Sequence, residues 1–258
     1  MNKSLKIFLL TAIAIFALTI VTYSVLKIIS VDRMLNSFEK DYANSPSFQK
    51  QPIEFSGSDS SSKEIFMQFA YYNALLETSK SDSISLVLDI KDSIASLLIK
   101  GVTVHKAHID KIKISPLFKA VEPKILYNAL SSPFIIANQK SSIPKRPLMV
   151  KIAPRDTSEY VPDIIPDTTD ITPVNFTLET STGIIIRIFE MPPSSKTVIN
   201  LTHFVKEETR TIFRDLPKIV TLKVPEYHPY IYLKMDRKDA KMIYRAIPQK
   251  ALVVIKIE

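Results

Sequence analysis

Residues Ile7 to Leu26 read IFLLTAIAIFALTIVTYSVL, 20 residues without a charge, a glycine or a proline. As a helix rising about 1.5 Å per residue, this run is about 30 Å long, the hydrocarbon thickness of a bilayer. It is apolar on every face, which a helix of a soluble domain, apolar on one stripe, is not. A cleaved signal peptide has a shorter apolar core and a small-x-small cleavage site. The core here is long, and Tyr23-Ser24-Val25 is a poor cleavage site. The run therefore reads as an uncleaved signal anchor over residues 7–29, held by membrane lipid. Lys3 and Lys6 precede it and Lys27, Arg33 and Lys40 follow it, so the lysine and arginine count near the two ends does not decide orientation. A short N-terminus with two lysines and a long polar remainder fit residues 1–6 in the cytoplasm and residues 28–258 exported.

Composition excludes more chemistry than it suggests. The 258 residues include no cysteine and three glycines. Without cysteine there is no disulfide, no thiolate nucleophile, no thiolate metal site and no lipoprotein anchor. Gly57, Gly101 and Gly183 are far apart in the chain. A P-loop or a dinucleotide fingerprint needs clustered glycines for close backbone approach to phosphate, so both are excluded. Hydrophobic residues at 46% with charged residues at 23% describe a folded chain.

Beyond the anchor, Met34, Leu35, Phe38 and Tyr42 fall at helical spacing. Residues 43–62 hold two prolines and the run SGSDSSS, a linker that lets a domain stand off the membrane. Residues 63–78 predict a helix that opens the exported domain, residues 63–258. The period then changes to two at Ile84, Leu86, Leu88 and Ile90, with a turn at Lys91-Asp92 and strands over 94–99 and from Val102 onward. Apolar parity slips between Val104 and Ile109 and again before Ile112, which predicts bulges. Pro123 divides the helical pattern of 117–130 in two. Further strands are expected at 148–152, 175–179, 184–189, 219–224, 230–235 and 251–257. Helices are expected between Val198 and Ile212, and after Asp236, which can cap the second of them.

The net charge is +8. Residues 98–153 and 196–258 are basic, whereas 30–97 and 154–195 are acidic. An exported domain does not meet nucleic acid, so anionic lipid or an acidic wall polymer is the better partner for its basic stretches. His105 and His108 suggest a metal pair, but residues three apart on a strand face opposite ways. His108 and Asp110 can share a strand face as a base and its orienting acid. Asp163, Asp167 and Asp170 sit among prolines as loop acids. No G-x-S-x-G elbow is present. No cofactor or metal is expected.

The most informative segment is the end, Tyr230 to Ile257, YIYLKMDRKDAKMIYRAIPQKALVVIKI. It resembles the C-terminal end of the L,D-transpeptidase catalytic domain. There a His-Gly-Cys-Ile-Arg strand runs into a helix of the type N-x-D-A-x-x-L-Y, and a final strand follows. Met235, Asp239-Ala240 and Ile243-Tyr244 match the helix; Ile247-Pro248 and Ala251–Ile255 match the turn and last strand. At the front, Val87-Leu88-Asp89-Ile90 and Ser96–Val102 are similar to the family's opening hairpin. Thr182-Gly183-Ile184 is placed where the family carries an upstream His-Gly, and near Gly183 no histidine is available to act as base.

The resemblance implies a mainly β fold with a few helices (α+β), a bent antiparallel sheet or sandwich behind the transmembrane helix. It also locates the missing chemistry. The family's nucleophilic cysteine falls at Tyr232, its histidine at Tyr230 and the glycine between them at Ile231, while its arginine becomes Lys234. A tyrosine hydroxyl titrating near 10 does not replace a thiolate paired with histidine. The resemblance thus implies a non-enzyme, with Tyr230, Tyr232 and Lys234 lining a relict ligand groove. Its expected role is binding peptidoglycan or scaffolding a cell-wall complex. The alternative is a structural subunit of an envelope assembly, working through its transmembrane and juxtamembrane helices. A third reading, a hydrolase using His108 with Asp110, rests on that pair alone.

Overall fold

A computed structural model describes residues 3–43, 60–145, 173–191, 217, 221 and 223–257. The expected strand at 148–152, the helix between Val198 and Ile212 and the acids Asp163, Asp167 and Asp170 lie outside the described residues. Of the strand expected at 219–224, the described residues Thr221, Lys223 and Val224 are not in a strand: Thr221 is in a turn, its backbone N bonded to the carbonyl of Pro217 at 3.2 Å.

The first helix, α1, runs unbroken from Lys3 to Ala43, about 60 Å. No proline or glycine interrupts its 41 residues. Within its apolar half the hydroxyls of Thr11, Thr22 and Ser24 bond the carbonyls of Phe8, Leu18 and Ile20. Each of these three hydroxyls is thus satisfied within the helix itself. Ile7, Phe8, Leu10 and Leu18 are each at least 60% exposed, as a lipid-facing helix requires. Among the described residues this is the one helix long and apolar enough to cross a membrane.

The second half of α1 behaves differently. Phe38 is 2% exposed and belongs to the main core, with Met34, Leu35 and Tyr42 packed against it. Ser30 is buried and its Oγ donates to the carbonyl of Pro225 at 2.6 Å. Asn128 Nδ2 donates to the carbonyl of Tyr42 at 2.9 Å. Burial pushes the Tyr42 phenol above the ordinary tyrosine value, against a hydrogen bond with Thr182. Residues 44–59, most of the expected linker, lie outside the described residues. The domain is nonetheless seated on α1 itself, because Phe38 and Ser30 are part of its interior.

The remaining elements are α2 (Ser60–Ser79), β1 (Ser85–Asp89), β2 (Ile94–Ile99), β3 (Val102–Ile114), α3 (Leu117–Ala120), α4 (Pro123–Leu130), β4 (Phe134–Ser141), β5 (Asn175–Thr180), β6 (Ile185–Glu190), β7 (Tyr230–Met235), α5 (Arg237–Ala246) and β8 (Leu252–Lys256). The eight strands close into a barrel in the order β1-β2-β3-β7-β6-β5-β4-β8. The expected bent antiparallel sheet is thus a closed one, and two of its pairings, β1 with β8 and β6 with β7, are parallel. Strand alternation decides the inside: Leu88, Ile109, Leu178, Ile186, Ile188 and Leu233 are almost wholly buried. Both expected bulges are present, where β3 shifts register against β2 beside Val104 and against β7 at Asp110.

Helices cover the barrel. The docked half of α1 lies with α3 and α4 at the end where β3 finishes and β7 begins. At the opposite end α5, capped by Asp236 accepting from Lys238 N at 3.0 Å, buries Ala240, Ile243 and Tyr244. Helix α2 packs outside β1, β2 and β8, where Ala74 meets Val87, Leu98 and Val254. The end of α2 also constrains the β2–β3 turn. Gly101 has φ +78°, and a Cβ there would stand 3.2 Å from Ser79 Cβ. Gly101→Ala is expected to cost about 1–2 kcal/mol from the left-handed backbone alone; a thermal melt in detergent that leaves Tm unchanged contradicts this turn.

Candidate functional site

On β7 the inward residues are Ile231, Leu233 and Met235, all fully buried. Parity therefore sends Tyr230, Tyr232 and Lys234 to the outer face of the barrel, half-buried and side by side. The three side chains thus share one surface, on the wall of the barrel and not in its interior.

The two rings stack on each other, 4.4 Å between centroids at 25°. Cations accompany the stack on both neighbouring strands. Lys113 Nζ, on β3, lies 5.8 Å from the Tyr230 ring centroid. Arg187, on β6, holds its Cζ 5.3 Å from the Tyr232 centroid and donates from Nη1 to the Tyr232 hydroxyl at 3.2 Å. Phe189 meets Tyr232 edge-on at 6.2 Å. These contacts are cation–π and aromatic pairs that order side chains otherwise free to rotate.

Register explains why these residues meet. Lys113 is opposite Tyr232, Tyr232 opposite Arg187, Arg187 opposite Thr177, and Thr177 opposite Lys140. One row up, Lys111 is opposite Lys234 and Lys234 opposite Phe189. Sequence reasoning missed Lys111, Lys113 and Arg187. Their signal was parity: Lys113 and Arg187 each stand between two isoleucines, in Ile112-Lys113-Ile114 and Ile186-Arg187-Ile188, and Lys111 is two residues before Lys113. Parity names the face of a strand but not which strand lies beside it.

The wall is electrostatically one-sided. Among the described residues no carboxylate comes within 4.0 Å of Lys111, Lys113, Arg187 or Lys234. Arg187 Nε is buried without a hydrogen-bond partner. Glu179 on β5, paired with Ile185 of β6, is already engaged. Burial pushes its carboxyl up, and hydrogen bonds from Lys140 (2.9 Å) and Asn138 (3.0 Å) overcome this and hold it below the ordinary value.

The other candidates are placed apart. His105 turns inward and its Nε2 sits 3.2 Å from Asp239 Oδ1 of α5. His108 and Asp110 are both exposed, with Asp110 at the bulge of β3. The two histidines face opposite sides, and no group of three metal-binding side chains occurs among the described residues. One reading is corrected. Gly183 does have a histidine beside it in space: His228 Nδ1 lies 3.5 Å from where a Cβ on Gly183 would be. That ring faces Glu226 at 3.9 Å.

Comparison with protein-family models, with curated proteins and with solved structures finds no match to this chain.

Proposed function

We propose that this chain is a membrane-anchored, non-catalytic protein of the bacterial cell envelope, similar to an L,D-transpeptidase domain without its chemistry. Its barrel binds anionic wall material, or a wall-synthesis complex, through the outer surface carrying Tyr230, Tyr232 and Lys234. The observation that carries this reading is the ordered stack of Lys113, Tyr230, Tyr232 and Arg187 with Lys111 and Lys234 beside it, none of these cations in an ion pair among the described residues. Peptidoglycan stem peptides carry carboxylates, which an arginine fork and lysines recognise by charge-assisted hydrogen bonds. Because α1 is part of the domain core, the ligand is met close to the bilayer.

The test is retention of the detergent-solubilised full chain on purified sacculi. Arg187→Gln is expected to weaken binding about tenfold, the worth of one charge-assisted hydrogen bond. Tyr232→Ala is expected to act in the same direction by releasing Arg187. Absence of retention, or retention indifferent to both variants, overturns the reading.

A second reading, a structural subunit of an envelope assembly, is favoured by a separate observation. On α2, Ile65, Phe69, Tyr72 and Leu76 are between 48% and 64% exposed and follow the alternating four-and-three spacing of a helix seam. No charge occurs between Glu64 and Glu77, so two copies do not repel there. Anchors in one bilayer also bring copies together at raised effective concentration. A second copy of this chain is the occupant such a seam suits. In this cysteine-free protein, Phe69→Cys is expected to give an oxidised dimer in membranes, with no dimer from Lys124→Cys. Equal yields at the two positions contradict it.

A further inference from the structure

We infer that the segment leading into β7, Lys223 to Glu226, sits in the phospholipid headgroup layer, so that domain and lipid share the last turns of the apolar part of α1. The inference rests on α1 crossing the bilayer, and not on what the wall of the barrel binds.

The outer face of α1 stays apolar past Leu26. Val21, Val25 and Ile28 follow one another at four- and three-residue spacing, which puts them on one face. They are between 50% and 69% exposed, with Ile29 beside them at 37%. Asp32, also exposed, carries the next charge on that face. Lys27 comes earlier in the chain but on the other side of the helix. It is half-buried, and its Nζ lies 5.5 Å from the ring centroid of half-buried Tyr23 one turn before. The apolar surface open to lipid thus runs from Ile7 to Ile29, about 34 Å along the axis. That crosses a hydrocarbon layer of about 30 Å with the tilt of about 20° usual for a span.

The opposite face of the same turns is already covered by protein. Leu26 is buried, and Ser30, about 6 Å further along the axis, is buried and bonded to the carbonyl of Pro225 at 2.6 Å. Lipid on one face and the domain on the other therefore meet over residues 26–29. Pro225 is then at the depth where hydrocarbon gives way to headgroups, a layer about 5–8 Å deep on each side. Lys223 is two residues from Pro225, at most about 7 Å even along an extended chain. It is exposed and in no ion pair among the described residues, so its ammonium can meet lipid phosphate. Glu226, on the other side of Pro225, faces His228 at 3.9 Å. The same end of the barrel has a second contact with α1 far from the bilayer. Tyr42, about 18 Å beyond Ser30 along the axis, is hydrogen-bonded to Thr182 in the turn before β6. Pro225 thus marks the near corner of that end and Thr182 the far corner.

The absence of cysteine makes the test direct. Full-length protein carrying Glu226→Cys, Ser181→Cys, Ile28→Cys or Leu10→Cys, all exposed positions, is labelled with a fluorophore. Each is reconstituted in phosphatidylcholine vesicles holding lipid spin-labelled either at the headgroup or high on the acyl chain. The headgroup quencher is expected to act at least about threefold more strongly on the Glu226 label than on the Ser181 label, which lies beyond so thin a layer. The Ile28 label is expected to respond to the acyl-chain quencher and to be shielded from aqueous iodide. Equal quenching of the Glu226 and Ser181 labels overturns the inference, as does an Ile28 label open to iodide and closed to the acyl-chain quencher. A Leu10 label that no lipid quencher reaches overturns it together with the membrane anchor. Should Glu226→Cys not fold, Lys223→Cys in the same segment replaces it, with the same expected result. If the Glu226 label is remote from headgroups while sacculus retention still depends on Arg187, this inference fails and the proposed function stands.

Discussion

Phe38→Ala is expected to destabilise the protein by about 3–5 kcal/mol, the cost of removing a buried aromatic side chain and leaving a cavity. The position is unusual because it lies 12 residues beyond the end of the apolar run of α1, at Leu26, and yet is 2% exposed within the core of the domain. Its neighbours on α1, Met34, Leu35 and Tyr42, pack on the same core, and its ring lies 4.8 Å from that of Tyr42. The effect should appear as a large fall in Tm of the detergent-solubilised full chain, followed by circular dichroism. Asn36→Ala, on the exposed face of the same helix, is expected to stay within about 0.5 kcal/mol of the parent. If the two variants melt alike, α1 is not part of the core.

Asp89→Ala is expected to cost about 2–3 kcal/mol. Lys256 Nζ lies 2.6 Å from Asp89 Oδ2, both side chains at or below 16% exposure, and joins the parallel neighbours β1 and β8. Removing one member of a nearly buried pair strands the other charge. Asp92, at 3.4 Å but 57% exposed, softens the loss. The pair also predicts a pH dependence. Burial lowers the Lys256 amino group, and the hydrogen bonds and charges of Asp89 and Asp92 reverse this, so its pKa is raised overall. A raised lysine pKa contributes stability that is complete below the ordinary value near 10.4 and is lost as pH rises through the folded value. Tyr71, whose ring lies 5.5 Å from Lys256 Nζ, is also raised, by burial and then by Asp89, and adds loss in the same alkaline direction. Wild-type Tm should fall above about pH 10, and the fall should be shallower in Lys256→Met. Parallel pH profiles for the two proteins contradict this account.

Much of the local structure was legible because each segment carries its own periodicity. The bulges beside Val104 and at Asp110 were visible as slips of apolar parity. Pro123 separated α3 from α4, and Asp236 marked the start of α5. Strand β4 was missed, although Phe134-Ile135-Ile136 is apolar. Its short apolar run gives way to Asn138-Gln139-Lys140, which show outward polarity without a clear alternation. The site was half legible. The outward set of β7 follows from alternation within one strand. Lys111, Lys113 and Arg187 join it only through pairing with strands far away in the chain.

The sequence by itself determined that this protein carries one apolar run of bilayer length, that it has no thiol chemistry, and which residues of each strand are polar. These are properties of composition and of short-range period, and they need no knowledge of neighbours. Only the tertiary structure decided that the helix of that run continues into the core of the domain, that the sheet closes with two parallel pairs, and that four cations gather around a tyrosine stack. The physical reason is the same in each case. Helix and strand periods specify which face of a segment is buried, whereas the partner of that face is chosen by packing and register between segments distant in sequence.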